Sequence, residues 1–472
     1  MTARMTARAR RRARARAQLA ALLAAASAAA LAAPPAAAQG AARADSVRAD
    51  SVAAPRSLGH AFQLASRAYA AGDHREVRRV LRAATAFAPN EGNVLLHLAR
   101  AEALTGGTTA AIEALERLAP QGAVRDFAAD SAFRPLQGDP RFRDVVRRLG
   151  ENSAPLVRSD TAFTLPDPDF IPEGIAHDAA DGALYVGSLH RGEIVRVDRE
   201  GRVTSFARMP EAGSRRAEVL GLRVDPRARR LWAATLVLDS AAPRFRRGVG
   251  GWAELHAYDL ATGSLVARHA PADSSTPHLL NDIAVTPAGD VYVTDSEGDA
   301  LWRRRAGSDS LERVHGGALG FTYPNGVAVG PGARRLYVAH MEGVSAVELT
   351  GPRAGRVSAL AAPAGVPTGG IDGLYACGDA LLAVQGMVGY DQVSWFELTA
   401  DGRGVRSMRA LERAHPAHDA ATTGAPAGDA FYYIASSQLP RLSPDGVLAP
   451  AASPRPSVVL RLPLPRRCEG AR

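Results

Sequence analysis

Residues 282–295 read DIAVTPAGDVYVTD, with a short apolar run behind Asp282, a break at Pro287 and Gly289, and a second run, Val291-Tyr-Val-Thr-Asp295. β-Branched and aromatic residues favour strands, and Pro and Gly between them favour a turn, so the stretch reads as a hairpin. The same unit returns along the chain. Gly174-Ile-Ala-His-Asp178 precedes Leu184-Tyr-Val-Gly-Ser188, and Gly221-Leu-Arg-Val-Asp-Pro226 precedes Leu231-Trp-Ala-Ala234. Gly326-Val-Ala-Val-Gly-Pro331 precedes Leu336-Tyr-Val-Ala-His340, Gly373-Leu-Tyr-Ala-Cys377 precedes Leu381-Leu-Ala-Val384, and a weaker sixth copy ends in Tyr432-Tyr-Ile-Ala-Ser436. A repeat of roughly 45 to 60 residues with several short strands per unit is the signature of a β-propeller. The longest interval holds the Arg- and Gly-rich stretch 241–251, which reads as a loop insertion. The expectation is a six-bladed β-propeller over residues 161–464. The apolar strand from Val458 to Leu464 is expected to complete the first blade and close the ring, leaving 465–472 as a C-terminal tail.

Upstream the pattern changes. Seven arginines lie in the first 16 residues, followed by an Ala-rich apolar run and Ala36-Ala37-Ala38. That order is a secretory signal, so residues 1–38 are expected to be a cleaved signal peptide, with no membrane span afterwards and an exported, periplasmic or extracellular protein. Residues 39–56 lack large apolar side chains and read as a disordered linker. From 57 to 150 the apolar period becomes helical: Phe62, Ala65, Ala68 and Tyr69, then Val77, Val80, Leu81 and Ala84, then Leu95, Leu98, Ala99 and Ala103. Gly72 and Gly106 mark a period of about 34 residues, which resembles the tetratricopeptide repeat. This helical domain carries no visible chemistry and is expected to serve contact with a protein partner. The fold class is thus mainly β, a six-bladed propeller behind a small helical domain.

Composition excludes several functions. Hydrophobic residues make 46% of the chain and charged residues 22%, which rules out general disorder. The formal charge of +9 comes largely from the N-terminal arginines, so the rest is close to neutral and no nucleic-acid partner is expected. The chain has no lysine, which excludes Schiff-base chemistry and a P-loop. Two cysteines, Cys377 and Cys468, cannot build a Cys-rich zinc site; whether they pair is open at this point.

The chemistry lies one residue ahead of each repeat, where the inner strand of a blade begins near the propeller axis. Those positions hold Glu173, Leu220, Asn281, Asn325 and Asp372, with a weak sixth near Ala420. One Asn-Gly or Asp-Gly pair is a turn signal. Four oxygen-bearing side chains in phase with a repeat converge on one axis, and a hard cation such as Ca²⁺ takes carboxylate and amide oxygens. Glu173, Asn281, Asn325 and Asp372 are therefore the candidate metal ligands, for Ca²⁺ or another hard divalent cation. Asp282 stands where the other units have glycine, so it is a candidate general base, as is Asp372. His278 and His418 precede the third and sixth units and are the local histidines that offer a proton acceptor.

Pro172-Glu173-Gly174, Asn281-Asp282, Pro324-Asn325-Gly326 and Asp372-Gly373 resemble the motifs of the senescence marker protein/gluconolactonase family, the regucalcin-like six-bladed propellers. The resemblance covers residues 161–464. It implies a divalent cation, usually calcium, at Glu173, Asn281, Asn325 and Asp372, and hydrolysis of lactones or related esters with Asp282 or Asp372 near the attacking water. The sequence departs from the wider superfamily at two places. Leu220 stands where paraoxonases have a catalytic histidine, and Leu279 where gluconolactonases have a substrate-binding arginine.

Two classes of function follow. One is an exported, calcium-dependent hydrolase of a small-molecule lactone or ester, with His278 aiding Asp282 or Asp372. The alternative is a non-catalytic binding propeller, with a structural metal and a helical domain that recruits a partner.

Overall fold

The computed structural model describes residues 54–152, 154–212, 215–238, 251–272, 277–316, 321–442, 448–450 and 455–468. The signal peptide, nearly all of the linker and most of the 241–251 insertion lie outside the described residues. Among the described residues no helix is long and apolar enough to cross a membrane. The chain divides into two compact units.

The helical unit contains α1 (Leu58–Ala70), α2 (His74–Ala84), α3 (Gly92–Leu104), α4 (Thr108–Leu118) and α5 (Pro140–Glu151). Acceptor side chains open most of them. Ser57 accepts from His60 N, Asp73 from Glu76 N, Glu91 from Val94 N and Asp139 from Arg141 N, each satisfying an amide the helix leaves unpaired. Gly72 and Gly106 end α1 and α3 in the left-handed region, with φ of 72° and 83°. Successive helices pack in antiparallel pairs, α1 on α2 and α3 on α4. The stripe of α1 differs from the expected one. Leu58, Ala61, Leu64, Ala65 and Ala68 are buried, whereas Tyr69 is 53% exposed. Alanines at three of those positions let the neighbouring helix approach closely, and an aromatic ring there would not fit. The unit also includes the short segments Ala364–Gly369 and Met387–Gly389. Val124 N donates to Val388 O at 2.8 Å, and Asn90 Nδ2 donates to Val366 O at 3.3 Å. The tetratricopeptide likeness of these helices rests on the sequence period alone.

The second unit is the propeller. Its first sheet is β2 (Pro172–His177), β3 (Leu184–Ser188), β4 (Glu193–Val197) and β5 (Val203–Arg208), preceded in the chain by β1 (Asp160–Leu165). A two-stranded ribbon, β6 (Glu211–Ala212) and β7 (Arg215–Arg216), leads to the second sheet, β8 (Glu218–Asp225), β9 (Arg230–Leu238), β10 (Gly251–Asp259) and β11 (Leu265–His269). The third is β12 (Leu280–Val285), β13 (Val291–Asp295), β14 (Ala300–Arg304) and β15 (Leu311–Gly316). The fourth is β16 (Val327–Val329), β17 (Arg335–His340), β18 (Gly343–Glu348) and β19 (Val357–Ala359). The fifth is β20 (Ile371–Cys377), β21 (Ala380–Met387), β22 (Tyr390–Leu398) and β23 (Val405–Arg413). The sixth joins β24 (Gly424–Ile434), β25 (Ser457–Cys468) and β1 in the order β1-β25-β24. Within β24 the chain folds back at Gly428, φ 65°, so that Ile434 N donates to Thr423 O at 3.0 Å. Every sheet is antiparallel, the first five are meanders, and β2, β8, β12, β16, β20 and β24 follow one another around the ring.

Ring closure differs from the expectation. The C-terminal strand does not complete the first blade; it is a middle strand of the last one, and the upstream strand β1 pairs with its outer edge, Asp160 opposite Arg461 through Leu165 opposite Ser457. Residues 465–468, expected in a tail, continue β25, because Cys468 is bonded to Cys377 at the end of β20. The core lies between neighbouring sheets. Trp232, Leu255, Ile283 and Trp302 fill one such space, and Trp395, Phe431, Tyr433 and Leu460 another. Burying each such large side chain stabilises the fold by about 1.5–3 kcal/mol.

Candidate functional site

The site begins with a bulge that recurs at the start of the inner strands. In the first, second, third and fifth sheets the register slips by one residue, between Pro172 and Ile175, Val219 and Leu222, Leu280 and Ile283, and Ile371 and Leu374. The residues caught in the slip are Glu173–Gly174, Leu220–Gly221, Asn281–Asp282 and Asp372–Gly373. A bulge turns its extra residue out of the ladder and re-aims its side chain. In the fourth sheet Asn325 and Gly326 precede β16 and bond to Ala339, N to O and O to N, at 2.8 Å each.

The glycines are dictated by the next inner strand. A Cβ on Gly174 would lie 2.0 Å from Leu220 O, one on Gly221 2.1 Å from Asn281 O, and one on Gly326 2.6 Å from Asp372 O. A Cβ on Gly373 would lie 3.1 Å from the Cα of Thr423, and Thr423 Oγ1 donates to Glu173 O, which completes the circuit. The sixth ring position is therefore Thr423, not the neighbourhood of Ala420. Repeat spacing could not show this, because the sixth inner strand is fused to its neighbour through Gly428.

Glu173, Asn281 and Asn325 are buried at this level and Asp372 is half-buried. The orientation of both amides is fixed. Asn325 Nδ2 donates to Asp372 Oδ1 at 2.8 Å, and its Oδ1 is buried without a hydrogen-bond partner. Ser296 Oγ donates to Pro324 O at 2.6 Å, so it can only accept from Asn281 Nδ2, 3.1 Å away. Both amides thus point their NH₂ groups at acceptors and have their carbonyl oxygens left to face elsewhere. Burial pushes the Asp372 carboxyl up to about 7; the Asn325 hydrogen bond opposes the shift, and the charges of Asp282 and Asp391 add to it. Among the described residues no three His, Cys, Asp or Glu side chains gather as a metal cluster. The candidate set mixes two carboxylates with two amides.

Asp282 has a structural explanation. Its Oδ1 accepts from Ile283 N at 2.8 Å and its Oδ2 from Val327 N, on the next inner strand, at 3.1 Å. It links sheets three and four where the other units use a bare glycine contact. Burial raises its pKa, against the Arg223 charge and the two amides. Both oxygens are committed to backbone, which does not suit a general base. Asp282→Asn should accordingly cost about 1–3 kcal/mol of stability, with activity falling only as the folded fraction falls; a melting curve beside an activity assay checks this.

His278 is held differently. Its Nδ1 lies 2.6 Å from Asp295 Oδ2, and its ring stands edge-on to Trp302, with centroids 5.6 Å apart. Asp295 is fully buried and also accepts from Leu279 N, Gly298 N and Trp302 Nε1. A carboxylate only accepts, so Nδ1 carries a proton. Consecutive residues Asp295 and Ser296 thus hold the histidine and the ligand candidate Asn281. His418 is bound to Asp391 O and to the Tyr433 hydroxyl, and His340 to Glu342 and Ser345, so both ring nitrogens of each are engaged. Leu220 and Leu279 are both buried in one apolar cluster.

Sequence reasoning missed Asp295 and Ser296. The signal was present at the ends of the second strands, where Ser188, Thr235, Asp295, His340 and Gln385 are polar in apolar surroundings.

No family model matches the chain, and no curated protein matches it. Among solved structures, a gluconolactonase from Xanthomonas campestris is 18% identical, with 65% of this chain and 88% of that chain covered and a TM-score of 0.42. The calcium-binding protein regucalcin from Agrobacterium tumefaciens is 14% identical over 66% and 95%, with a TM-score of 0.43. An aldose sugar dehydrogenase from Streptomyces coelicolor, bound to PQQ, is 17% identical over 66% and 99%, with a TM-score of 0.41. A gluconolactonase, a calcium-binding protein and a sugar dehydrogenase thus stand at similar likeness to this chain.

Proposed function

We propose that the protein is an exported hydrolase that binds a hard divalent cation, calcium for preference, and opens lactones or related small esters. The observation that carries this reading is the fixed orientation of Asn281 and Asn325. Their donors are tied to Ser296 and Asp372, so two amide oxygens are available beside the carboxylates of Glu173 and Asp372. An all-oxygen set with two negative charges suits calcium better than a soft metal. A cation held by these four residues would supply Lewis acidity toward a substrate carbonyl oxygen. The Cys377–Cys468 bond supports export, since disulfides persist in oxidising compartments. The choice of lactones and esters rests on the motif resemblance.

The chain's own residues divide the remaining work. Asp295 orients the His278 ring through Nδ1, and in this reading the imidazole takes a proton from water as the water oxygen attacks the carbonyl carbon. When the carbon–oxygen bond of the ester breaks, the imidazole returns the proton to the leaving alkoxide. Asn325 keeps the Asp372 carboxylate in place from one side.

Calorimetry with calcium chloride tests the site. Glu173→Ala and Asp372→Ala should each weaken calcium binding at least tenfold, about 1.4 kcal/mol; unchanged affinity in both removes the assignment. The cation must also displace the proton that Asp372 carries below pH 7 in the cation-free protein. Calcium affinity should therefore be full above pH 7 and fall by up to about tenfold per unit below it. Asp372→Asn should flatten that profile, and a flat profile in the unsubstituted protein would speak against Asp372 as a ligand. A panel of lactones and aryl esters, assayed with calcium and with chelator, separates the hydrolase from a non-catalytic binding propeller.

A further inference from the structure

One layer beneath the ligand ring, two residues after Gly174, Gly221, Asp282, Gly326, Gly373 and Gly424, stand Ala176, Arg223, Ala284, Ala328, Tyr375 and Pro426. Four of the six are small. The two large ones lie on the second and fifth sheets, which face each other across a six-bladed ring, and they meet: the Arg223 guanidinium carbon is 5.3 Å from the centre of the Tyr375 ring. Arg223 Nε donates to Ile283 O at 2.9 Å, and an Nη2 lies 4.0 Å from Asp282 Oδ1. The Tyr375 hydroxyl accepts from Gly424 N at 2.7 Å, which fixes the ring from the sixth sheet. Arg223 is the one arginine of the six inner strands, and its side chain is 25% exposed.

We propose that Arg223 is a fixed cation on the propeller axis, which with Tyr375 floors the site and offsets part of the negative charge of Glu173, Asp282 and Asp372. Carboxylates taken out of water without a counter-charge are costly, and the buried Glu173 and Asp282 and the half-buried Asp372 stand here before any ion arrives. A guanidinium cannot lose its proton at working pH, so its charge is permanent. It makes the potential that a mobile cation feels less negative and biases the site toward divalent over trivalent ions, since repulsion grows with the charge of the ion. Because four residues of the layer are alanine or proline, no other side chain there replaces this charge. The inference rests on the reading of the ring as a cation site.

The test is titration calorimetry at pH 8 with calcium alone and with lanthanum alone. Arg223→Gln should tighten calcium binding about tenfold and lanthanum binding by more. Arg223→Lys, which keeps the charge and loses the planar stacking, should return both close to the original values. Equal shifts in the two variants, or no shift in Arg223→Gln, overturn the proposal, as does failure of both to fold, which would make the shape of arginine the requirement. If the unsubstituted protein binds neither ion, the cation-site reading itself falls. The melting temperatures then decide the charge claim: a loss confined to Arg223→Gln supports it, and equal losses overturn it.

Discussion

Replacing His278 with glutamine should slow hydrolysis by about 10²-fold or more, the usual scale for general-base catalysis, while calcium affinity stays near its original value. The expectation comes from the way the ring is held. Asp295 Oδ2 accepts from Nδ1–H at 2.6 Å, and the Trp302 ring stands edge-on to the imidazole, so the ring is held in one orientation. Glutamine keeps polarity and much of the volume but cannot cycle a proton near neutral pH. Asp295→Asn should lower activity as well and shift the pH–rate profile, because its amide no longer defines the tautomer. That variant also loosens Leu279 N and Gly298 N, so its rate is to be compared with its folded fraction. An undiminished rate in His278→Gln would remove the histidine from the mechanism. Loss of calcium binding in the same variant would make it part of the metal site instead.

The second large effect concerns stability. Cys377 and Cys468 are 91 residues apart in sequence and bonded, with Cα atoms 4.8 Å apart. Closing a loop of that length restricts the unfolded chain by about 4–5 kcal/mol in the entropic account. The double variant Cys377→Ser with Cys468→Ser should therefore melt about 10 °C lower or more, at about 2–4 °C per kcal/mol for a large domain. Both cysteines are buried, so adding reductant to the folded protein should act slowly, and the same reductant during refolding should act fully. An equal melting temperature for the variant and the original protein would show that strand pairing alone holds β25.

Much of the propeller could be read from residues 174 to 384, because each unit repeats a period of two within strands and a glycine where the next strand presses close. Gly174, Gly221, Gly326 and Gly373 keep that register in the chain, and the structure shows the carbonyl or backbone atom that each must admit. Asp282 broke the pattern, and the break invited a catalytic reading. Its true partner, Val327 N, lies 45 residues downstream, and only folding brings the two together. The closing strand was hidden for a similar reason. An apolar run such as Val458 to Leu464 fits either edge of a ring, and nothing local says which sheet receives it. Helix faces suffered from size: Phe62 and Tyr69 look like core, but the alanines beside them are what the neighbouring helix touches. The polar ends of the second strands, Asp295 above all, look like ordinary strand termini until their hydrogen bonds are counted.

The pairing of β1 with β25 sets the order of assembly. Asp160 and Arg461 are neighbours in the last sheet although most of the chain lies between them. A strand made early must wait, with one edge unpaired, until nearly all of the protein has emerged. Pairing across such a separation is slow, and open strand edges invite association with other chains during the delay. A chain that does not yet extend through β25 therefore cannot hold the finished ring. Until that strand is made, whatever keeps early strands apart must act on a propeller that is still open.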